Sequence, residues 1–361
     1  MKIIDVKIEY ISVPLKRPFK TALRTVNSVE DVIVKVITDC GNVGYGEAPP
    51  TAVITGDTTG AIVSAINDVI KKSIIGMDIE NFEELIITLN KCMVNNTSAK
   101  AAVDIALYDL YGQLYNAPLY KLLGGYRKEI TTDITISVNN PLEMSEDSLD
   151  AVRLGYKTLK IKVGKEATLD IKRLQKVREV IGPDVKLRID ANQGWSPKEA
   201  VKILRKMEDL GLDIEFVEQP VQAHDFEGLK FVSDNVYIPV MADESIFSPR
   251  DALKIMQMRA ADIINIKLMK TGGIYNALKI CSMAEVFGVE CMIGCMLEAK
   301  VSVTAAAHLA CAKSVITKID LDGPVLCSED PIIGGAIFKE SIITIGDGSG
   351  LGITGIVSND Y

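Results

Sequence analysis

Residues 158–165, TLKIKVGK, combine the features of a buried β-strand with two closely spaced lysines. Leu, Ile and Val are typical of such a strand, but Lys160 and Lys162 flank Ile161. Side chains two residues apart on a strand point to the same side, so both ammonium groups face one way. A strand that is buried on both faces rarely tolerates unpaired charges. The stretch therefore predicts a strand with one functional, charged side.

Similar β-branched runs recur from about residue 130 onward. They are TDITISV, TLKIKV, VKLRID, IEFVEQP, IPVMADE, IINIKL, VECMIG and TKIDLD. From Lys162 to Lys267 the runs end every 24 to 28 residues, and amphipathic stretches such as SPKEAVKILRKMEDLG lie between them. This alternation predicts a (β/α)7β-type TIM barrel in an α/β protein. A doubly wound open sheet is the alternative, but the chain lacks the glycine-rich phosphate loop that normally follows its first strand.

The first part of the chain predicts a separate α+β capping domain over residues 1–125. IIDVKIEYISV and EDVIVKVIT alternate like antiparallel strands, and SAKAAVDIALYDLYGQLY has helical periodicity with Ser98 as its expected N-cap. The barrel is expected over residues 126–325. Residues 326–361 contain further β-like runs, including AIFKESIITIG, and are expected to return to the capping domain.

The composition of the 361 residues argues against several classes of protein and site. A net charge of −8 and a pI near 5.1 argue against nucleic acid or anionic membranes as partners. Only His224 and His308 are present, which nearly excludes a histidine-rich metal site. The seven scattered cysteines are expected to be reduced thiols. The stretch MKIIDVKIEY has no signal-peptide pattern and no long apolar run follows, so a cytoplasmic location is expected.

Charged residues end successive predicted strands. They are Lys162, Asp190, Glu218, Asp243, Lys267 and Asp320. In a TIM barrel the carboxyl ends of the strands meet over one mouth. Any one of these charges could be a solvated loop residue, but six at matching positions fit that explanation poorly. The carboxylates of Asp190, Glu218 and Asp243 are hard ligands that suit Mg²⁺, and a cation would relieve their mutual repulsion.

The lysines predict proton transfer at carbon. Lys162 on the second strand and Lys267 on the sixth would lie on opposite sides of an eight-stranded ring. Burial and a nearby cation should lower the pKa of such lysines toward the range of a base. One lysine could remove a proton from a carbon next to a carboxylate while the other delivers a proton to the opposite face. This geometry indicates racemisation or epimerisation, with Lys160 stabilising the enediolate.

Several motifs resemble the enolase superfamily, and in particular its muconate-lactonizing subgroup. In the barrel they are KIK, DANQGW, VEQP, ADES and NIKLMKTGG, and in the capping domain FKTALRT, GYGEAPP, ITGDT and AAVDIALYDL. The resemblance covers nearly the whole chain. It implies that Asp190, Glu218 and Asp243 bind Mg²⁺ and that Lys162 and Lys267 form the acid/base pair. The His-Asp pair of the mandelate-racemase subgroup is absent from strands six and seven.

Within the subgroup, KIDLDGP is similar to dipeptide epimerases, including those that act on L-Ala-D/L-Glu. The resemblance implies that Asp320 and Asp322 bind the free α-ammonium of a dipeptide, and two same-side carboxylates would suit a cation. A simple turn is the alternative, because Asp-Gly-Pro is a strong turn signal. Arg24 matches an arginine that contacts the distal carboxylate of the substrate. Its alternative is a surface arginine in a loop.

Further specificity contacts follow from the same resemblance. Residues 54–57, ITGD, are similar to a specificity loop of the family, and Gly56 would let this loop close over the mouth. Thr135 and Met296, at the expected ends of strands one and seven, are candidate substrate contacts, with simple packing as the alternative. The subgroup often has Ser where this chain has Ala299.

The sequence thus predicts a Mg²⁺-dependent dipeptide epimerase, an isomerase that acts on L-Ala-D/L-Glu from peptidoglycan turnover and forms a homo-oligomer. N-succinylamino acid racemisation or o-succinylbenzoate synthesis is the nearest alternative, and muconate cycloisomerisation is weaker; none of these substrates has the free ammonium. A catalytically silent binding protein would not need the retained carboxylates and lysines. A Schiff-base aldolase using Lys162 or Lys267 would leave the carboxylates unexplained.

Overall fold

The computed structural model describes residues 1–21 and 24–357, and this part of the chain begins with a three-stranded antiparallel sheet in the order β1-β2-β3. The strands are β1 (Ile3–Lys20), β2 (Thr25–Thr38) and β3 (Val43–Ala48). The helices that follow are α1 (Thr59–Ser64), which continues through a π-helical stretch (Ala65–Ile70) into α2 (Lys71–Ile74), α3 (Phe82–Lys91), α4 (Thr97–Leu114) and α5 (Leu119–Leu123).

Strand β3 packs closely on helix α4, and two glycines make this contact possible. A Cβ atom on Gly44 would lie 2.1 Å from the carbonyl oxygen of Ala106, and one on Gly46 would lie 1.8 Å from that of Ala102. Both distances are far below van der Waals contact. The GYGE stretch therefore brings the strand backbone directly against the helix, and Glu47 follows immediately.

The predicted N-cap of α4 is wrong. The helix begins at Thr97, after Asn96 in a left-handed conformation with φ 52°. Ser98 lies inside the first turn, and its N–H donates to Asp57 Oδ2 at 3.1 Å. A carboxylate 41 residues earlier in the chain therefore satisfies a helix-start donor that a local hydroxyl was expected to satisfy.

The barrel is built from eight parallel strands within the described residues. A short strand, β4 (Glu129–Thr131), precedes them and lies outside the barrel. The barrel strands are β5 (Ile134–Ile136), β6 (Thr158–Lys162), β7 (Lys186–Asp190), β8 (Ile214–Glu218), β9 (Val240–Ala242), β10 (Ile263–Lys267), β11 (Glu290–Gly294) and β12 (Ile316–Asp320). Each of the eight predicted runs overlaps one of these strands, which confirms the predicted TIM barrel with its N-terminal capping domain.

Helices connect successive barrel strands. They are α6 (Pro141–Arg153), α7 (Ala167–Ile181), α8 (Pro197–Asp209), α9 (Phe226–Ser233), α10 (Pro249–Met258), α11 (Leu268–Thr271) with α12 (Ile274–Phe287), and α13 (Lys300–Ala312). A cap residue followed by proline starts α6, α8 and α10, because proline favours the first helical position and has no N–H to leave unpaired. In α8, Ser196 and Glu199 form a capping box.

The seam between β5 and β12 is bridged by loop contacts. The N–H of Leu321 donates to Thr132 Oγ1 at 2.8 Å, and the N–H of Asp133 donates to the carbonyl of Ile319 at 3.3 Å. After β12, the described chain continues only with the short helix α14 (Gly323–Leu326) instead of a full eighth barrel helix. This arrangement matches the predicted (β/α)7β pattern.

The C-terminal segment completes two small sheets. Its strands are β13 (Ile332–Gly334), β14 (Ile337–Lys339), β15 (Ile342–Thr344) and β16 (Ile353–Ile356). Strand β13 pairs with β16, and β14 and β15 form a sheet with β4. The segment also contacts the helices of residues 97–123, since the N–H of Leu351 donates to Asp109 and the N–H of Leu119 donates to the carbonyl of Gly350, both at 2.8 Å. The exact domain boundaries stay a prediction.

The interior of the barrel changes character along its axis. Phe216, Met241, Ile263 and Met292 form a separate apolar cluster. Two residues after Phe216, strand β8 ends in the buried Glu218. This apolar layer therefore lies below the charged carboxyl ends of the strands, and the buried Arg188–Asp133 ion pair lies beside it, with the Arg188 guanidinium 5.2 Å from the Phe216 ring.

The contact between β3 and α4 predicts a large difference between two glycines. Gly46→Ala should lower the free energy of unfolding by about 1–3 kcal/mol, because its methyl group would overlap the helix backbone. Gly60→Ala is the matched control, since nothing lies within 4 Å of its Cβ position. In helix α1 this change should be neutral or stabilising by up to about 1 kcal/mol. Urea unfolding measures both, and equal stability of the two variants would contradict the packing described.

Candidate active site

A cavity of about 610 Å³, its open mouth included, lies over the carboxyl ends of the barrel strands. All the predicted site residues line it except Asp190 and Glu218, which are fully buried. The capping domain contributes further lining residues, among them Phe19 and Ile54. The ring of Phe19 lies 6.0 Å from Lys162 Nζ. The cavity is therefore bounded by residues from both domains.

The carboxylates of Asp190, Glu218 and Asp243 lie on or directly after neighbouring strands, and Asp190 is opposite Glu218 in the β7–β8 register. Burial would raise the pKa of Asp190, but the ammonium groups of Lys162 and Lys160 outweigh it and lower this pKa to about 2. Burial and repulsion from Asp190 raise the pKa of Glu218 to about 7. Removing these groups from water and placing them together therefore disfavours ionisation of all three at once.

Lysine ammonium groups lie between these carboxylates. Lys160 Nζ is 3.2 Å from Asp190, 2.7 Å from Glu218 and 2.7 Å from Asp320. Lys162 Nζ is 2.5 Å from Asp190 Oδ2. The two lysines of the TLKIKVGK strand thus share a side, as predicted, and also share a carboxylate partner.

Lys267 faces the same carboxylates from across the barrel. Its Nζ lies 2.9 Å from Asp243 and 3.9 Å from Glu218. Burial lowers the pKa of Lys267, but attraction by Asp243 and Glu218 outweighs it, so the pKa is raised. The pKa of Lys160 is raised in the same way, with Asp320 as the largest attraction. The sequence indicated that Lys267 is buried but not that it contacts carboxylates directly, and the lowering predicted for Lys162 and Lys267 beside a bound cation stays a prediction.

Lys270 is a buried site residue that the sequence interpretation missed. Its Nζ is 2.5 Å from Asp243 Oδ1 and also donates to the main-chain carbonyl of Asp243. Burial lowers the pKa of Lys270 more than Asp243 raises it. The motif NIKLMKTGG contains this lysine three residues after Lys267, but strand periodicity ends at Lys267 and gives no direction for the later side chain.

The donor set fits a divalent cation. Lysines separate the carboxylates, and no group of three His, Cys, Asp or Glu side chains in the described ranges forms a ready-made metal cluster. Glu218 Oε1 accepts from Asn265 Nδ2 at 2.8 Å. Glu218 Oε2 is buried and has no partner with hydrogen-bond geometry among the described residues, although Lys160 Nζ lies 2.7 Å away. Three adjacent carboxylates with one underbonded oxygen suit a hard cation that would share them with the lysines.

Asp320 and Asp322 both reach the cavity from the end of β12. Asp320 is held by Lys160, whereas Asp322 Oδ2 accepts from the main-chain N–H of Thr135 at 2.7 Å. Burial and repulsion from Asp320 raise the pKa of Asp322 to about 6. Asp322 has no lysine or arginine within ion-pair distance in the part of the chain described. A cation bound here would therefore not compete with a protein cation for this carboxylate.

The remaining predicted contacts lie around the cavity. Arg24 is half-buried, and its side chain makes no ion pair within residues 1–21 and 24–357. Thr135 lies within the short strand β5 and not at its end, and Met296 follows β11 by two residues. In the loop of residues 54–57, Ile54 lines the cavity, but Asp57 instead caps α4.

Sequence reasoning also missed the lining residue Glu244, whose pKa is raised to about 8 by burial and by Asp243.

Two family models match this chain. Residues 143–355 match "Enolase C-terminal domain-like", and residues 3–124 match "Mandelate racemase / muconate lactonizing enzyme, N-terminal domain". The chain belongs to the enolase superfamily. This enolase-superfamily chain is 68% identical over 356 residues to an L-Ala-D/L-Glu epimerase of Clostridium acetobutylicum, with 99% of each chain covered. It is 52% identical to an L-Ala-D/L-Glu epimerase of Bacillus subtilis, with 98% of this chain and 97% of the relative covered.

Solved structures of enolase-superfamily proteins agree with these relatives. A substrate-liganded complex of the Bacillus subtilis L-Ala-D/L-Glu epimerase superposes with a TM-score of 0.98 at 52% identity, and 99% of each chain is covered. A dipeptide epimerase of Enterococcus faecalis, solved with Mg and L-Leu-L-Tyr, gives 0.95 at 44% identity, over 98% of this chain and all of the other. The present chain is therefore an isomerase of the racemase and epimerase class.

No helix in the described part of the chain is long and apolar enough to cross a membrane. The cytoplasmic location and the homo-oligomer stay predictions.

Lys270 predicts a specific loss of stability. Lys270→Met should lower the free energy of unfolding by about 3 kcal/mol, because it leaves the buried Asp243 without one of its ammonium partners. Lys202→Met, on the exposed side of α8, is the control and should change stability by less than about 0.5 kcal/mol. Chemical unfolding followed by circular dichroism compares them. Equal free energies of unfolding for both variants would show that the Lys270–Asp243 contact does not stabilise the fold.

Proposed function

We propose that this protein is a Mg²⁺-dependent dipeptide epimerase that inverts the α-carbon of the C-terminal residue. The observation that carries the proposal is the placement of Lys162 and Lys267, which extend from β6 and β10 into one cavity. These strands are four positions apart in the eight-stranded sheet. A carbon bound between the two lysines can lose a proton to one and receive a proton from the other on its opposite face.

Each lysine has a defined part in this reaction. The lysine facing the α-hydrogen removes it, and the lysine on the other side donates a proton to the opposite face, which inverts the centre. In the reverse direction the two lysines exchange roles. Lys160 stays protonated beside Asp320 and Glu218, and its charge stabilises the enediolate that forms from the substrate carboxylate.

Asp190, Glu218 and Asp243 are the residues that would hold Mg²⁺. When bound, the ion supplies positive charge next to the substrate carboxylate and makes the α-proton more acidic. The carboxylates would then no longer depend on lysines alone for neutralisation. Lowering of the lysine pKa toward that of a base would follow from sharing the carboxylates with a second cation.

The dipeptide is supported by Asp320 and Asp322, whose carboxylates would receive a free α-ammonium group. Arg24 supports an acidic C-terminal residue, because its half-buried guanidinium lines the cavity. Thr135 and Met296 would contact the substrate beside these charges. Together with the names of the relatives, these features favour L-Ala-D/L-Glu, a dipeptide expected from peptidoglycan turnover.

The two-base arrangement predicts how each lysine variant fails. Lys162→Ala and Lys267→Ala should each reduce epimerisation of L-Ala-L-Glu by about 10²- to 10⁴-fold, because inversion needs both bases. Each variant should still exchange the α-proton of one epimer with solvent, and the two variants should act on opposite epimers. Proton NMR in D₂O, started separately from L-Ala-L-Glu and L-Ala-D-Glu, measures this. Exchange of the same epimer by both variants would rule out two opposed bases.

The alternative is N-succinylamino acid racemisation. It is favoured by an N-succinyl-L-Arg/Lys racemase of Bacillus cereus that is 35% identical to this chain, with 98% of this chain and 95% of the relative covered. Such a substrate has no free ammonium group, so the two carboxylates after β12 would have no cation to bind.

Asp322→Asn separates the two functions. Asparagine keeps an oxygen for the N–H of Thr135 but removes the charge, which should lower kcat/KM for L-Ala-L-Glu by about 10- to 100-fold. The residual turnover of N-acetyl-L-Ala-L-Glu, which lacks the ammonium, serves as the matched control and should not fall. Unchanged kcat/KM for the free dipeptide would favour the N-succinylamino acid racemase instead.

A further inference from the structure

The residue at the N-cap position of helix α13 has no side-chain acceptor for the first helical N–H groups. Its N-cap position is Ala299, with φ −77° and ψ −166°, and the methyl side chain has no hydrogen-bond acceptor. The first N–H groups of a helix lack partners within the helix, so they need acceptors from elsewhere when they are buried. Ala299 and Ser302 are both buried, at 3% and 0% exposure.

The capping domain supplies these acceptors. Glu47 Oε1 accepts from the N–H of Ala299 at 2.9 Å, and Glu47 Oε2 accepts from the N–H of Ser302 at 2.7 Å and from its hydroxyl at 3.0 Å. Asp31 Oδ2 accepts from the same Ala299 N–H at 2.9 Å. Glu47 therefore bonds the third helical N–H, which is a donor that a serine or threonine N-cap would satisfy.

In the described part of the chain, the carboxylates of this contact are buried without a basic side chain beside them. None of Asp31, Glu47 and Glu298 has a lysine or arginine within ion-pair distance among residues 1–21 and 24–357. Burial, and next repulsion from Glu47, raise the pKa of Asp31 well above its usual range. Two ionised carboxylates side by side are therefore disfavoured, whereas the N-terminal end of the helix dipole favours negative charge at this position.

The same contact reaches the cavity through one short segment. Cys295, Met296 and Leu297 line the cavity directly before the helix. The N–H of Met296 donates to Glu298 Oε1 at 2.6 Å, and Glu298 Oε2 in turn accepts from the hydroxyl of Ser302. The cavity segment and the start of α13 are therefore one hydrogen-bonded unit, which the capping domain holds from outside.

We propose that Glu47 and Asp31 are positioning residues that cap α13 from the other domain and thereby hold the cavity segment, residues 295–297, in place for substrate. Their kinetic effect rests on the proposed epimerase reaction. Neither residue lines the cavity, so they act through Met296 and its neighbours and not on the reacting carbon. Loss of the cap loosens substrate contacts and leaves the lysines and carboxylates of β6 to β10 intact.

The experiment compares variants of the full-length protein. Glu47→Ala removes the cap, Glu47→Gln keeps one oxygen acceptor, and Glu47→Ala with Ala299→Ser returns a capping hydroxyl in the space that Glu47 vacates. Asp109→Asn is the matched control, because Asp109 is another buried capping-domain carboxylate, but it accepts from the N–H groups of Leu351 and Tyr45 and not from helix α13. For each, KM and kcat for L-Ala-L-Glu are measured, together with hydrogen exchange of the amides in residues 295–303.

The proposal predicts that Glu47→Ala raises KM about five- to tenfold, changes kcat by less than about threefold and speeds exchange of the 295–303 amides. Ala299→Ser should recover most of KM and of the amide protection, and Asp109→Asn should change neither. Unchanged amide exchange in Glu47→Ala, or no recovery with Ala299→Ser, would overturn it. If Glu47→Ala does not fold, Glu47→Gln with and without Ala299→Ser gives the same comparison. Inactive wild-type protein would instead refute the epimerase function, while amide exchange would still test the cap.

Discussion

Carboxylates buried beside lysines determine how the inside of this barrel is built. Ionised Asp190, Glu218 and Asp243 would each cost several kcal/mol inside the barrel without a partner. The parallel register places Lys162 opposite Asp190, and Asp190 opposite Glu218, so each strand end supplies a counter-charge to its neighbour. Lys267 completes the arrangement from β10. The lysines that balance this charge are also the ones that face each other across the cavity, so stability and proposed chemistry use the same groups.

The second constraint is the joint between the domains. Glu47 accepts from the N–H of Ala299 at the start of helix α13, and Asp104 Oδ1 accepts from the N–H of Ile274 at the start of helix α12 at 2.6 Å. Burial raises the pKa of Asp104 to about 8. Both carboxylates belong to the capping domain and both helices to the barrel, and each helix follows a strand whose end lines the cavity. The capping domain is therefore hydrogen-bonded into the barrel near the sites of Lys267 and Met296, in addition to covering its mouth.

The regular part of this molecule could be predicted from its sequence, and the long-range contacts could not. Strand runs with charged ends every 24 to 28 residues indicated the barrel and which charges share its mouth. The same reasoning failed for Ser98, because Asp57 accepts from its N–H from a distant loop, and it did not reveal that Lys267 contacts Asp243 directly. Lys270 was missed because strand β10 ends at Lys267, and the alternation of side chains along a strand gives no direction for a residue three positions later. In each case the deciding partner is distant in sequence or lies outside the repeating pattern.

Proton NMR of the wild-type enzyme in D₂O tests the central claim most directly. With Mg²⁺ present, L-Ala-L-Glu and L-Ala-D-Glu should each lose the α-proton signal of the glutamate residue and interconvert, and chelation of the metal should stop both processes. Such a result shows that the α-carbon loses its proton to a base and can receive a proton on either face. Absence of exchange for any dipeptide, or exchange that never inverts the centre, would contradict an epimerase with two opposed lysines.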